Sequence, residues 1–467
     1  MNSFFLDQHG CAKNQVDGEI LMTRLLDKGF SRAEDPKDAN LILINTCGFI
    51  ESAKQESLES VFAAREEYPD AKIVLCGCLA ERYAEVFSEE LSSEVDAILG
   101  NGDLSLLDEV VDELNQGKTH ILKIAPQIGV CSQERKTLLG FPNSAYVKIT
   151  EGCNNCCSFC AIPVIRGNLR SRSEEEIILE IKNLIAKGIF EINLVGQDLA
   201  AFGRDGIPVG NSNHPSYFEG KSPLASLLDK ISTIQGDFWI RLLYIHPDNF
   251  PQDILPVIAN DKRILPYFDI PFQSGDDKII KDMNRKGSAQ KYIQLVEKIR
   301  SSQQNSFYND VALRTTFLCG FPGETEENAK NTVEFLKNIQ SDWSGCFAYS
   351  REDDTVAGEM KKQVSAKKSK SRCDALTELQ TQITQEKLKR HVGKIYKVLI
   401  EEIIPTEEEE GGIAIGRAWF QAPEVDGATV IYYDLDDENQ CKQIQPGKVV
   451  NVKIQGVSSV DIYGIME

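Results

Sequence analysis

Short apolar runs alternate with amphipathic helical patterns in two successive blocks of this 467-residue chain, which leaves few folds open to it. In the first block the runs are 3–6, 41–44, 72–75 and 97–99, separated by helical patterns at 14–28, 52–67 and 104–115. That spacing predicts an open parallel α/β sheet in an N-terminal domain, residues 1–125. The second block, a domain of residues 140–372, carries runs at 145–149, 191–195, 239–244, 267–270, 312–318 and 346–349. Six strand–helix units predict a partial (βα)6 barrel. Its first helix shows a start signal in Ser173 and Glu176, a stripe of Ile177, Ile178, Ile181, Leu184 and Ile185, and a stop at Gly188. A linking helix, 373–390, leads to β-rich runs at 396–400, 413–420, 428–433 and 449–454. Residues 391–467 therefore read as a small β-barrel.

Thirteen cysteines are many for a chain with no basic, apolar leader and no run of membrane-spanning length. Those features make a cytoplasmic protein the expectation, and disulfides are disfavoured there. Cys153, Cys156, Cys157 and Cys160 fall within eight residues, a crowding that points to metal or cluster ligation. Cys11, Cys47 and the pair Cys76 and Cys78 follow the first three apolar runs. Ligands of open α/β sheets sit beyond the strands' carboxyl ends, so distant thiols would converge on one edge. A lone buried cysteine is usually an inert apolar residue, but three at equivalent strand ends read better as ligands.

Special residues also follow most strands of the second block: Gln197 and Asp198, His246, Gln273, and the turn 320–324. Barrel chemistry belongs at that end, which makes Gln197, Asp198, His246 and Gln273 candidates for cofactor or substrate contact. Gly320 and Gly323 could let backbone approach a cofactor. Strand-end hydrogen bonding and a plain Gly-Pro turn explain these residues about equally well. The loop 203–222, rich in Gly, Asn, Pro and Ser, is expected to be disordered rather than a lid.

The segment 151–160, Glu-Gly-Cys-Asn-Asn-Cys-Cys-Ser-Phe-Cys, admits C-x3-C-x2-C through Cys157 or C-x2-C-x3-C through Cys156. A zinc knuckle would want a fourth ligand, and none is obvious nearby. The first spacing, with Phe159 ahead of the last cysteine, resembles the signature of radical-SAM enzymes. Joined with Gly-Cys-Ala-Lys-Asn-Gln-Val-Asp at 10–17, Asn-Thr-Cys at 45–47, Gly-Cys-Leu-Ala-Glu-Arg-Tyr at 77–83 and Gly-Phe-Pro-Gly-Glu-Thr-Glu-Glu at 320–327, it makes nearly the whole chain resemble the methylthiotransferase family. The C-terminal barrel is similar to a TRAM domain.

The resemblance implies two 4Fe–4S clusters: an auxiliary one on Cys11, Cys47 and Cys78, and one on Cys153, Cys157 and Cys160 that cleaves S-adenosylmethionine. It leaves Phe159, Gln197, Asp198, His246, Gln273, Gly320 and Gly323 around that cofactor, Cys76 as packing and Cys156 as a neighbour. Residues 416–427 and 264–271 look like the family branch that modifies the β-carbon of an aspartate in a small-subunit ribosomal protein. Gln273-Ser274-Gly275 looks more like the tRNA-modifying branch, and 351–355 is an altered form of the usual post-barrel motif. The net charge is −20, and residues 391–467 carry 14 acidic against 6 basic side chains. Such a surface suits a basic protein partner better than a phosphate-rich one. The expectation is thus a ribosomal-protein methylthiotransferase supplied by a reducing electron donor, without membrane association or direct tRNA binding. A tRNA adenosine methylthiotransferase and a non-catalytic iron–sulfur carrier or adaptor are the alternatives. The acidic run 407–410 reads as a solvated turn, or else as a contact for the basic partner.

Overall fold

A computed structural model describes residues 1–206, 220–405 and 411–467. The run 407–410, and the loop 203–222 apart from its two ends, lie outside the described residues.

Six parallel strands form the first sheet: β1 (Ser3–Gln8), β2 (Ser31–Arg32), β3 (Leu41–Thr46), β4 (Lys72–Gly77), β5 (Ala97–Leu99) and β6 (Ile121–Lys123), in the order β2-β1-β3-β4-β5-β6. Its central strands are apolar runs buried on both faces, as a covered parallel sheet requires. The helices Ala12–Asp27, Glu51–Glu67 and Leu107–Asn115 correspond to the three expected patterns. β2 and β6 were not expected from sequence, being too short for any alternation to register.

The second sheet is also all parallel: β7 (Ser144–Lys148), then β10 (Glu191–Val195), β11 (Trp239–Leu242), β12 (Ile264–Asp269), β13 (Ala312–Cys319) and β14 (Trp343–Ala348), paired in chain order. Between β7 and β10 a small antiparallel ribbon joins β8 (Thr150–Glu151) to β9 (Arg170–Ser171). The first helix, Glu174–Ala186, starts as expected: Ser173 Oγ accepts the Glu176 N–H, and Ile177, Ile181 and Leu184 are buried. On each strand one set of residues, such as Ile192 and Leu194, packs against the outer helices. The alternate set, including Tyr146, Trp239, Tyr267 and Trp343, faces a second core shared with the N-terminal helix Ala12–Asp27 and the C-terminal barrel.

That barrel closes through β15 (Ile395–Ile404), β16 (Gly412–Arg417), β17 (Thr429–Tyr433), β18 (Val449–Ser458) and β19 (Asp461–Met466), in the order β15-β16-β17-β19-β18. β19 was missed from sequence, and the run expected to continue to 420 leaves the sheet at Arg417. The linking helix begins at Ala366, earlier than expected, and its first turns set Ser369 against Gly320 outside any apolar stripe. No helix among the described residues is long and apolar enough to cross a membrane.

Candidate functional site

The register of the first sheet aligns Gln8, Asn45 and Cys76 across β1, β3 and β4, and the chain leaves all three strands at one edge. Cys11, Cys47 and Cys78 follow there. Gly10 packs so close that a Cβ on it would lie 3.1 Å from Cys47 Cβ and 3.5 Å from its Sγ. Asn14 Nδ2 donates to His9 O at 2.8 Å and to Thr46 O at 3.2 Å, stapling the Cys11 turn to the Cys47 turn. Burial pushes Cys78 up to about 12 and raises Cys47, so each thiol alone resists ionising. Cys11 lies exposed at the rim, yet the cleft still desolvates its thiol. Lys13, the Asn14 amide and Arg166 outweigh that desolvation and hold Cys11 below its ordinary value. Cys76 is elsewhere: it is buried in the sheet core with its thiol donating to Ile44 O at 3.4 Å.

The second trio sits on the loop between β8 and β9, at the carboxyl end of β7. Gly152 opens that loop with φ +73°, and a Cβ there would lie 2.1 Å from Asn168 O, so only glycine fits the turn. Asn155 Nδ2 donates to Cys153 Sγ at 3.4 Å and to Asp198 Oδ2 at 2.8 Å. His246 Nε2 stands 3.7 Å from Cys157 Sγ. Burial raises Cys157, but Arg285 and His246 overcome it and bring the thiol down to about 7. Cys160 is pushed up to about 12 by burial, with Cys157 adding to the rise, and burial and Asp198 raise Cys153. Cys156 takes a left-handed conformation, φ +52°, and its carbonyl accepts from Asn284 Nδ2.

The other candidate residues divide. Asp198 is a brace: Oδ1 accepts the His246 and Ala200 amides while Oδ2 takes Asn155. Gln197 Nε2 donates to Glu151 Oε1 at 2.8 Å, while its Oε1 is buried without a hydrogen-bond partner among the described residues. Phe159 packs beside Ile279, Met283, Phe321 and Ala357, with the Arg285 guanidinium 6.0 Å from its ring. Gln273, at φ +68°, exchanges backbone bonds with Thr316 and Leu318 of β13. Gly320 faces Ser369, whose Oγ would lie 1.8 Å from an added Cβ, and its N–H donates to Glu324 Oε1. Its close approach is to the linking helix. Gly323 donates its N–H to Lys362 O in the same turn.

Sequence reasoning missed the charges that join the N-terminal domain to the barrel. Arg166, six residues beyond Cys160, donates through Nη2 to Cys78 Sγ at 3.0 Å and to Asn14 Oδ1 at 3.2 Å. Its Nη1 donates to Asp17 Oδ2 at 2.6 Å. Lys148 Nζ, at the end of β7, bonds Asp17 Oδ1 at 2.5 Å and Glu151 Oε2 at 2.6 Å. Burial pushes Glu151 up, and Lys148 and Arg166 more than reverse it, so the carboxylate stays ionised. Lys13 stands 3.9 Å from the centre of the Tyr244 ring. Lys13 and Asp17 lie within the quoted 10–17 motif, but Arg166 carries no local signal beyond following the cysteines.

Residues 416–427 lie at the opposite end of the barrel, where its strands begin. Arg417 donates to both oxygens of Glu191, which Arg241 also binds, and Trp343 Nε1 donates to Phe420 O at 2.7 Å. Asp426 accepts from Tyr267 Oη at 2.6 Å and Arg314 Nη1 at 2.5 Å. These residues close the barrel floor, away from the thiols.

Two trios of thiols, one beside Lys13 and Arg166 and the other beside Arg285, form a donor set suited to iron–sulfur clusters. Among the described residues no three His, Cys, Asp or Glu side chains are grouped to hold one metal ion, whereas a four-iron cluster takes each thiolate on a different iron.

Residues 3–100 match the uncharacterized protein family UPF0004, residues 147–336 the radical SAM superfamily, and residues 392–466 the TRAM domain. A protein of Treponema denticola, ribosomal protein uS12 methylthiotransferase RimO, is 48% identical over 98% of this chain and 100% of its own length. Proteins of the same name from Natranaerobius thermophilus and Chloroherpeton thalassium are 37% and 38% identical, over 98% and 97% of this chain and 97% and 96% of theirs. Among solved structures, the radical S-adenosylmethionine methyltransferase TsrM from Kitasatospora setae, with cobalamin and a [4Fe-4S] cluster bound, is similar with a TM-score of 0.55. The match covers 77% of this chain and 74% of that one at 14% identity, a likeness of fold.

Proposed function

The chain belongs to the RimO family of ribosomal protein uS12 methylthiotransferases, and we propose that its two thiol trios are the two working centres of that reaction. The protein is a radical SAM methylthiotransferase of ribosomal protein uS12 with S-adenosylmethionine and 4Fe–4S clusters as cofactors, and in this reading the methylthio group goes to the β-carbon of an aspartate. An aspartate β-C–H is too weakly acidic for a side chain to deprotonate near neutral pH, so a radical route is required.

In this reading Cys153, Cys157 and Cys160 hold one cluster and Cys11, Cys47 and Cys78 the other. When bound, the clusters supply the electron that cleaves S-adenosylmethionine to an adenosyl radical and the iron that presents the sulfur to be transferred. Arg285 and His246 offset thiolate charge at the first centre, as Lys13 and Arg166 do at the second. Gln197 keeps Oε1 as an acceptor for the cofactor, Asp198 and Asn155 brace the Cys153 loop, and Phe159 packs that loop against the barrel. Residues 1–125 then carry the auxiliary centre, 140–372 the radical centre, and 391–467 the uS12-binding surface. The acidic charge of that last segment supports a basic partner and argues against direct tRNA binding. A cytoplasmic site of action and an external reducing electron donor complete the reading.

One observation carries it: Arg166 follows the radical-centre cysteines in sequence and bonds Cys78 of the other trio at 3.0 Å. That contact supports two centres sharing one space, which the reaction needs if a radical made at one is quenched at the other. Reconstituted enzyme offered uS12 and tRNA in parallel tests it. One CH2S unit should be gained on a uS12 aspartate and nothing on tRNA; modified tRNA with unmodified uS12 would overturn the assignment.

A further inference from the structure

The turn after the last barrel strand, residues 350–358, belongs to neither centre but touches the scaffold of both. Glu352, 5% exposed, accepts from Arg82 Nη1 at 2.7 Å and from Lys54 Nζ at 3.1 Å. Arg82 ends the short helix that Cys78 begins. Its Nη1 also donates to Gly48 O at 3.1 Å, beside Cys47, and its Nη2 to Asp353 O at 2.7 Å. One buried carboxylate thus holds the guanidinium that ties the Cys47 turn to the Cys78 helix. Five residues later the Ala357 N–H donates to Ser158 O at 2.7 Å, between Cys157 and Cys160.

The span between these anchors is short and internally braced. Ser350 Oγ donates to Glu352 Oε1 at 2.9 Å. Thr355 Oγ1 donates to Glu352 O at 2.7 Å and accepts the Gly358 N–H at 3.1 Å. A Cβ on Gly358 would lie 2.4 Å from Glu352 O, so the turn closes directly onto the residue that grips the other side.

We propose that residues 350–358 are a strap that fixes the separation of the two centres, with Glu352 as its positioning residue. The inference rests on the two-centre reading above. A carbon radical generated at one centre must meet the group presented at the other, and a misplacement of about 1 Å lowers such a step by on the order of 10²-fold. Replacing Glu352 by a neutral isostere takes the carboxylate from Arg82, while Lys54 keeps Glu51 and the Ala357–Ser158 bond stays. Cofactor cleavage should persist and its yield of product should fall.

Glu352→Gln is compared with wild type as holoenzyme acting on uS12, following deoxyadenosine released per methylthiolated uS12. Iron content and total deoxyadenosine should stay within about twofold, while the ratio rises roughly tenfold. Glu352→Asp should fall between the two. On the cofactor-free chain, amide hydrogen exchange at 48–50 and 78–83 should quicken in Glu352→Gln. Thr355→Ala, which loosens the strap without touching Arg82, should raise the ratio even if Glu352→Gln binds iron poorly. An unchanged ratio in both variants, or unchanged exchange at 48–50 and 78–83, overturns the strap. Wild-type enzyme that leaves uS12 unmodified would instead overturn the two-centre reading, and the strap with it.

Discussion

Arg166 concentrates the site's electrostatics in one side chain. It bonds a thiol of one trio, lies in the segment that follows the other, and shares Asp17 with Lys148. Its side chain is 2% exposed, so removing its charge strands Asp17 with half its compensation in a region water does not reach. Arg166→Met should lower the unfolding free energy of the cofactor-free chain by about 3–5 kcal/mol in urea titrations. A loss under about 1 kcal/mol, the range of an exposed pair, would contradict the buried network. The six cysteines proposed as ligands drew attention in the sequence through strand-end position for one trio and spacing for the other, and the family resemblance then chose Cys78 over Cys76 and Cys157 over Cys156. Arg166 and Arg285 stayed illegible because an isolated arginine shows nothing of what it faces.

At the scale of elements, the joint between linking helix and C-terminal barrel turns on His391. Its ring stacks on Phe420 at 3.9 Å between centroids, and Nδ1 shares a hydrogen bond with Tyr396 Oη at 2.8 Å. Burial, with Arg390 adding to it, pulls its pKa down to about 2. The unfolded chain binds a proton at this histidine near its ordinary pKa of about 6.5 and the folded chain does not. The stability contributed is therefore full above about pH 6.5 and is lost as pH falls below it, by about 1.4 kcal/mol per unit. Between pH 6.5 and 5, His391→Phe should lose stability less steeply than wild type; parallel slopes would mean that the folded protein protonates this ring. The barrel strands were readable from their apolar runs, but the role of their second face was not. On β10, Ile192 and Leu194 pack outward against the helices, while Glu191 turns inward to Arg417, 226 residues away. Periodicity reports alternation and is silent on a partner that distant.

Across the whole molecule, the two ends of the central barrel do different work. The carboxyl ends of its strands carry thiols and meet the N-terminal sheet. The amino ends are closed by residues 416–427, with Arg417 bound to Glu191 and Glu401, and Asp426 to Arg314 and Tyr267. The residues that carry the resemblance to the protein-modifying branch thus mark how the C-terminal barrel docks. Arg417→Met should strip Glu191 of its strongest partner and undock that barrel, leaving Arg241 alone on the carboxylate. Limited proteolysis should then cut near the linking helix at least tenfold faster than in wild type; equal rates would show that apolar packing alone holds the joint.

The claim beneath all of this is that Cys11, Cys47 and Cys78 hold one four-iron cluster and Cys153, Cys157 and Cys160 another, independently. Anaerobic iron and sulfide counting on reconstituted wild type and on a Cys153/Cys157/Cys160 triple alanine variant tests it most directly. Wild type should hold about eight irons per chain and the variant about four, with matching sulfide. Loss of all the iron in the variant, or no loss at all, would contradict two separate centres.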